Sequence, residues 1–224
     1  MITVHHLNNS RSQRILWLLE ELGLEYDIKR YQRDPETMLA PDALRKVHPL
    51  GKSPVITDGE FTLAESGAII EYLIDRYGNG RLIPPPNTPE RLRYTYWLHY
   101  AEGSAMPPLV MKLVFGQVEQ KTPFFLRPLA GAIVGAAKSS YINPQIQLNL
   151  DYMESTLEES LWFAGSEFTA ADIQVSFPVE AAAADSLDAE GAERTKLKDF
   201  LTRIHDRPAY QKALERGGEY QLMS

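Results

Sequence analysis

Residues 47–73, VHPLGKSPVITDGEFTLAESGAIIEYL, leave few folds open to this chain. Ser53-Pro54 leads into a short apolar run, Val55-Ile56-Thr57. A proline there cannot donate to a strand ladder, so the strand starts at a turn or a sheet edge. An X-Pro bond takes the cis form far more readily than other peptide bonds, and a cis bond here bends the chain and bares the Ser53 backbone. Asp58-Gly59 reads as a two-residue hairpin loop, with Phe61 and Leu63 on the returning strand. Glu65-Ser66-Gly67 then opens a helix whose apolar positions are Ile69, Ile70, Leu73 and Ile74. The first N–H groups of that helix are unpaired and its dipole is positive there. A strand edge that pairs with a peptide-like ligand, next to a helix start that takes a carboxylate, suits a small zwitterion.

The flanking segments complete a pattern. Residues 2–7 read as a strand ended by Asn8-Asn9, and residues 10–22 as a helix with Gly23 as its C-cap. Residues 26–31 form a second strand, and residues 38–47 a short helix broken by His48-Pro49. The order βαβαββα joins a parallel crossover to an antiparallel pair, which is the order of the thioredoxin fold. The proline-rich segment 82–87 lacks periodicity and reads as a linker. Everything beyond it reads as helix: 89–104, ending before Met106-Pro107-Pro108, then an apolar continuation over 109–118, then 128–141 and 144–161. The Gly131/Gly135 spacing predicts close helix packing. Thr169 and Asp172 form a capping box that opens the next helix, with Pro178 inside or just after it. Residues 196–205 and 208–216 are the last helices. The expected architecture is an α+β thioredoxin-like domain over 1–81 followed by an all-α domain over 88–224.

Composition removes several function classes. With a net charge of −7 and no basic run, the chain is a poor partner for nucleic acid or an anionic membrane. No segment approaches the roughly 18 apolar residues that span a bilayer. The start, MITVHHLNNSRSQ, has no signal-peptide pattern, which predicts a cytoplasmic protein. Cysteine is absent, so disulfides, thiolate metal sites and redox chemistry on a protein thiol are all excluded. The histidines lack metal-ligand spacing, because His5 and His6 are neighbours on a strand and point to opposite faces. Any sulfur handled here belongs to a ligand.

The 47–73 stretch resembles the glutathione site of cytosolic glutathione transferases, and the resemblance extends over nearly the whole chain. It implies glutathione as co-substrate, with no metal or redox cofactor. Pro54 stands at the family's cis-proline. The resemblance places Ser53 against the cysteinyl backbone of glutathione, Glu65 and Ser66 at its γ-glutamyl end, and Lys52 at its glycyl carboxylate. His48 stands where the family often has asparagine. The thioredoxin-like domain followed by a helical one also fits the family, as does the Thr169/Asp172 box after Phe163-Ala164-Gly165. The segment 115–143 is longer than in many members.

Within that frame Ser10 is the candidate catalytic residue. It follows the first strand at the start of the first helix, where a hydroxyl and a helix N-terminus together stabilise a thiolate. A free thiol has a pKa of about 8.5, and positive helix ends lower it. The serine-type bacterial and fungal members place a serine here with an arginine four residues on, as Arg14 is. Ser10 and Gln13 also spell a capping box, so the serine can serve as an N-cap, a catalyst or both. Asn9 and Ser12 are the alternative donors. Arg14 is expected to make a structural ion pair on its helix. The helix over 89–104 lines the acceptor pocket in the family, which nominates Tyr96 and Tyr100, four residues apart, with Met106 closing the pocket. Core or dimer contacts are the other reading of the two tyrosines. The resemblance implies a homodimer that joins glutathione to a small hydrophobic electrophile or a peroxide. Two rivals remain: a non-catalytic binding module on the same fold, and a disulfide reductase that runs on two glutathione molecules.

Overall fold

Strand β1 (Ile2–Leu7) is central because it is paired on both sides and buried on both faces. It runs parallel to β2 (Tyr26–Tyr31), in register from Ile2↔Tyr26 to Leu7↔Tyr31. On its other side it pairs antiparallel with β3 (Val55–Asp58), which turns back into β4 (Phe61–Ala64), giving the sheet order β2-β1-β3-β4. Helix α1 (Ser12–Leu22) carries the parallel crossover and ends at Gly23, whose φ of 64° is the left-handed conformation that a helix C-cap demands. Helix α2 (Asp42–Arg45) and α3 (Ser66–Tyr77) complete the βαβαββα order. The computed structural model describes residues 1–37, 39–183, 186–187, 193–218, 220 and 222.

Two local expectations shift. The helix expected over 38–47 shrinks to the single turn of α2, while Met38 lies outside the described residues. Pro41 is the reason: it disfavours helical geometry at Ala40, so no helix runs through it from upstream. The hairpin loop is Gly59-Glu60 rather than Asp58-Gly59, because Asp58 still pairs with Phe61 and Gly59 takes the positive φ of 60°. The Asp58 carboxylate accepts hydrogen bonds from the Tyr72 hydroxyl, at 2.9 Å, and from the Tyr77 hydroxyl.

The second half is helical throughout the elements described. Helix α4 (Pro89–Tyr100) starts on a Thr88 cap, whose Oγ1 accepts from Arg91 N at 3.2 Å. It does not stop before Met106. A π turn, Ala101–Ala105, carries it straight into α5 (Met106–Lys121). A second π turn, Lys138–Ile142, joins α6 (Arg127–Ala137) to α7 (Asn143–Glu159). Each π turn sits just ahead of prolines, Pro107-Pro108 in one case and Pro144 in the other. A proline costs least at the opening of a new helical register, where its missing N–H has little to lose. Gly131 and Gly135 do not mediate close packing: an added Cβ would meet only Glu119 Oε1 at 3.6 Å from Gly131, and nothing within 4 Å from Gly135.

Helix α8 (Ala170–Ala183) is buried on nearly every side, includes Pro178, and forms the axis of the helical half. Asp172 anchors its start. The carboxylate accepts from Thr169 N at 2.8 Å, Thr169 Oγ1 at 3.0 Å and Phe163 N at 2.9 Å. The Phe163 ring packs between Trp97 and Phe200, with ring centres 4.6 and 5.1 Å away. Helices α9 (Thr195–His205) and α10 (Pro208–Gly217) close the chain, and α1 packs against both α8 and α10, which joins the two halves. Among the described residues no helix is long and apolar enough to cross a membrane.

Candidate functional site

Three chain segments converge at one end of the sheet: the loop after β1, the turn before β3 and the start of α3. Ser10 occupies the first. Helix α1 begins two residues later than expected, at Ser12, and the Ser10/Gln13 capping box does not form. Gln13 N donates to the Ser10 carbonyl at 3.2 Å, but both polar atoms of the buried Gln13 side chain lack a hydrogen-bond partner. The amide lies against α10 instead, where a Cβ on Gly217 would come within 2.5 Å of Gln13 Oε1. Helix-on-helix packing has claimed the side chain that local chemistry would have sent back to Ser10.

The Ser10 hydroxyl is therefore engaged elsewhere. Its Oγ lies 2.8 Å from Ser12 Oγ, accepts from Ser12 N at 3.3 Å and reaches Ser53 Oγ at 3.4 Å. Ser53 sits before the cis bond to Pro54, and its hydroxyl donates to the His5 carbonyl at 3.1 Å. Residues 43 positions apart in sequence thus share one hydrogen-bonded corner. Among the described residues Ser53 makes no backbone–backbone hydrogen bond outside the helices and strands. Lys52 is exposed nearby, and His48 Nδ1 is buried without a partner.

At the start of α3, Glu65 has φ 70° and ψ 121° and makes no side-chain cap bond. A non-glycine residue held there costs about 1–3 kcal/mol, a strain that concentrates at ligand clamps. Its side chain is exposed. Ser66 beside it is buried, and its Oγ accepts from Arg14 Nη2 at 2.9 Å. Arg14 does not pair on its own helix. It is 1% exposed, its Nη2 also meets Glu102 Oε1 at 2.5 Å, and its Nη1 donates to the Gln174 carbonyl at 2.5 Å. Burial pulls its pKa down, and Glu102 opposes the shift.

Glu102 is the residue that sequence reasoning underrated. It lies in the first π turn and also takes Arg11 Nε at 2.9 and 3.0 Å. Burial pushes its carboxyl up, but Arg14 and Arg11 outweigh that and hold it below the ordinary range. Both arginines lie over the Phe177 ring, 5.0 and 5.1 Å from its centre. Only the altered helical pitch of the π turn aims Glu102 at α1, and no sequence signal announces that pitch.

Tyr96 and Tyr100 line an open cleft of about 530 Å³, together with Tyr141, Asn149 and Tyr152. The Tyr96 and Tyr100 rings stack at 5.5 Å, and the Tyr100 hydroxyl donates to Asn149 Oδ1. Burial pushes the Tyr100 hydroxyl pKa up, so it stays a donor at neutral pH. Met106 is 5% exposed in the core and does not line the cleft. The cleft shares no lining residue with the Ser10 corner, but Gly103 and Ser104, which do line it, directly follow Glu102.

A four-stranded thioredoxin-like half followed by a helical half defines a two-part α+β and all-α class. Residues 1–75 match the glutathione S-transferase N-terminal domain, and residues 135–208 match the glutathione S-transferase C-terminal domain. Glutathione S-transferase 3 of Schizosaccharomyces pombe is 40% identical over 216 residues, covering 96% of this chain and 88% of the relative. Glutathione S-transferase 1 of Saccharomyces cerevisiae is 32% identical over 190 residues, 81% of each chain. A crystal structure of a glutathione S-transferase from Actinobacillus pleuropneumoniae superposes with a TM-score of 0.77 at 34% identity, covering 97% of this chain and 93% of that one. The chain belongs to the glutathione S-transferase family.

Proposed function

We propose that this chain, a glutathione transferase by family, is a serine-type member that activates the glutathione thiol with Ser10. The single observation that carries this reading is the Ser10 hydroxyl at the start of α1, in contact with Ser53 at the cis-proline turn. That corner supports a peptide thiol whose cysteinyl backbone pairs with Ser53 beside Pro54. The start of α3 suits the γ-glutamyl end: the Ser66 N–H and hydroxyl face it, Arg14 fixes the hydroxyl, and the strained backbone of Glu65 aims its carboxylate at an ammonium group. Lys52 supplies a cation for the glycyl carboxylate. No metal or redox cofactor enters the scheme.

The thiolate, held by the Ser10 O–H and the helix dipole, attacks an electrophilic carbon and expels its leaving group, such as halide. Alternatively it attacks a hydroperoxide oxygen, breaking the O–O bond to release the alcohol and leave a glutathione sulfenic acid that a second glutathione converts to the disulfide and water. The acceptor occupies the tyrosine cleft along α4, where Tyr96 and Tyr100 offer ring faces and a hydroxyl donor. The domain division falls in 82–87, the working form is a homodimer, and the protein acts in the cytoplasm. The test is a substrate panel of aryl halide, hydroperoxide and mixed disulfide, run on wild type and Ser10→Ala. Conjugation that depends on Ser10 supports the reading. Turnover on the mixed disulfide alone replaces it with a reductase, and no binding of millimolar glutathione in calorimetry removes it.

A further inference from the structure

Helices α5 and α6 form an arm that the glutathione chemistry does not use. Among the described residues none from 110 to 133 is fully buried. Buried positions on α5 are confined to its start, Met106, Pro108 and Leu109, and α6 buries only Val134. The turn between the helices is ordered. Leu126 N donates to the Pro123 carbonyl at 2.9 Å, and Arg127 Nε to the Thr122 carbonyl at 3.1 Å. At the centre of that turn stand Phe124 and Phe125, 80% and 67% exposed, with ring centres 5.6 Å apart. Turn centres that face water normally carry Gly, Asn, Asp or Ser. The apolar surface continues down both helices. Exposed Val110, Leu113, Val114 and Val118 recur at helical spacing on α5, and Leu129 and Ile133 do so on α6. Apolar surface left in water over this extent marks a docking site.

Charge identifies the occupant. The chain carries 30 acids and a net charge of −7, which as a whole argues against an anionic membrane. That charge is not spread evenly. Glu119 is the only acid between Glu102 and Asp151, and it pairs with Lys138 at 3.5 Å. The same stretch holds Lys112, Lys121, Arg127 and Lys138. Lys121 and Arg127 are exposed and bracket the phenylalanine turn. A second copy laid tip to tip would set cation against cation. A lipid surface takes both features at once, because aromatic rings settle at the acyl boundary while cations just behind them meet phosphates.

We propose that the α5–α6 arm docks this protein on an anionic lipid surface. Phe124 and Phe125 enter the headgroup boundary, and Lys121 and Arg127 meet the phosphates. The cytoplasmic leaflet has that charge. Attachment is peripheral and reversible, since two rings and two cations hold far less firmly than a spanning helix. The acidic remainder of the chain is repelled by the same surface, so the arm is the end that approaches it. Nothing in this depends on which residue activates the thiol.

The experiment sediments the full chain with vesicles of phosphatidylcholine alone and of phosphatidylcholine mixed with phosphatidylserine. Wild type pellets with the mixed vesicles, stays largely in solution with the neutral ones, and is released as salt rises. Lys121→Gln and Arg127→Gln each weaken binding about fivefold. Phe124→Ser combined with Phe125→Ser weakens it about tenfold or more. All four side chains are exposed, so these variants keep the wild-type melt and the wild-type conjugation rate in solution. Phe125→Trp adds a reporter at the tip, and its emission moves to the blue when mixed vesicles are added. Wild type that stays in the supernatant with mixed vesicles overturns the proposal. Binding that the serine double variant keeps in full overturns it too, because the contact then lies elsewhere. Light scattering without lipid tests the other occupant: a serine double variant that is a smaller particle than wild type makes the arm a contact between copies of this chain and overturns lipid docking.

Discussion

Asp172→Ala tests whether the helical half hangs on one buried carboxylate. Asp172 has no exposed surface and accepts from three donors: Phe163 N, Thr169 N and Thr169 Oγ1. Alanine leaves all three buried without a partner, at about 1–3 kcal/mol each. Against this stands the cost of the charge itself. Burial raises the carboxyl from its ordinary 3.8 to about 6 despite those bonds, so the ionised form is held about 3 kcal/mol less well than the protonated one. Alanine recovers part of that, which leaves a net loss of about 2–5 kcal/mol at pH 7. For a chain of this length the melting temperature falls by about 5–15 °C. The pH dependence is the sharper readout. A folded-state pKa raised above the unfolded one gives stability that is full below the unfolded value and is lost as pH rises through the folded value. Wild type therefore gains on the variant as pH falls from 7 toward 4, and the difference widens by up to about 3 kcal/mol. Urea melts followed by circular dichroism at pH 7, 6, 5 and 4 measure it, with calorimetry confirming unchanged glutathione affinity in the folded variant. A difference that stays flat across that range refutes the raised pKa, and an unchanged melting temperature at pH 7 refutes the anchoring role.

Three further perturbations address the site. Ser10→Ala raises the pKa of bound glutathione and loses most turnover near neutral pH, with partial recovery in alkali, as ultraviolet titration and pH–rate profiles report. Ser10→Asp keeps the fold, but its charge beside the sulfur abolishes activity at neutral pH; an active Ser10→Asp enzyme contradicts the donor role. Glu65→Ala weakens glutathione binding by about tenfold or more in calorimetry, the worth of one charged hydrogen bond, while the melt stays cooperative. Glu102→Ala leaves the buried charge of Arg14 without its carboxylate and costs about 1–3 kcal/mol, below the figure for a fully buried pair because Glu102 is one-third exposed. A melting temperature equal to wild type would show that Arg14 finds another partner.

The parts of this fold that local chemistry dictates were legible in the sequence. Pro54, Gly59 and the Glu65-Ser66 pair announce a turn, a hairpin and a helix start through backbone constraints that act over a few residues. The Thr169/Asp172 box is local in the same way. What escaped was decided by distant packing. Gln13 spells a cap for Ser10, yet α10 arrives from 200 positions later and takes it. Glu102 looks like one more helix-surface acid until the π turn rotates it toward Arg11 and Arg14. The prolines after both π turns mark where a helix ought to end, and the wider turn lets it continue. Met106 carries the right chemistry for a pocket wall, but it faces the core.

The placement of Arg14 reaches beyond the site. Its guanidinium rises from α1 and is held by Ser66 on the thioredoxin-like side and by Glu102 and the Gln174 carbonyl on the helical side. Pulling the halves apart would strand a dry cation against the bared flank of α1, which separation would otherwise leave as an apolar wound. Neither half is a module to be cut out and expressed alone, and the two should melt in a single calorimetric step. A duplicated or transplanted first half would have to bring its own counter-ion for Arg14.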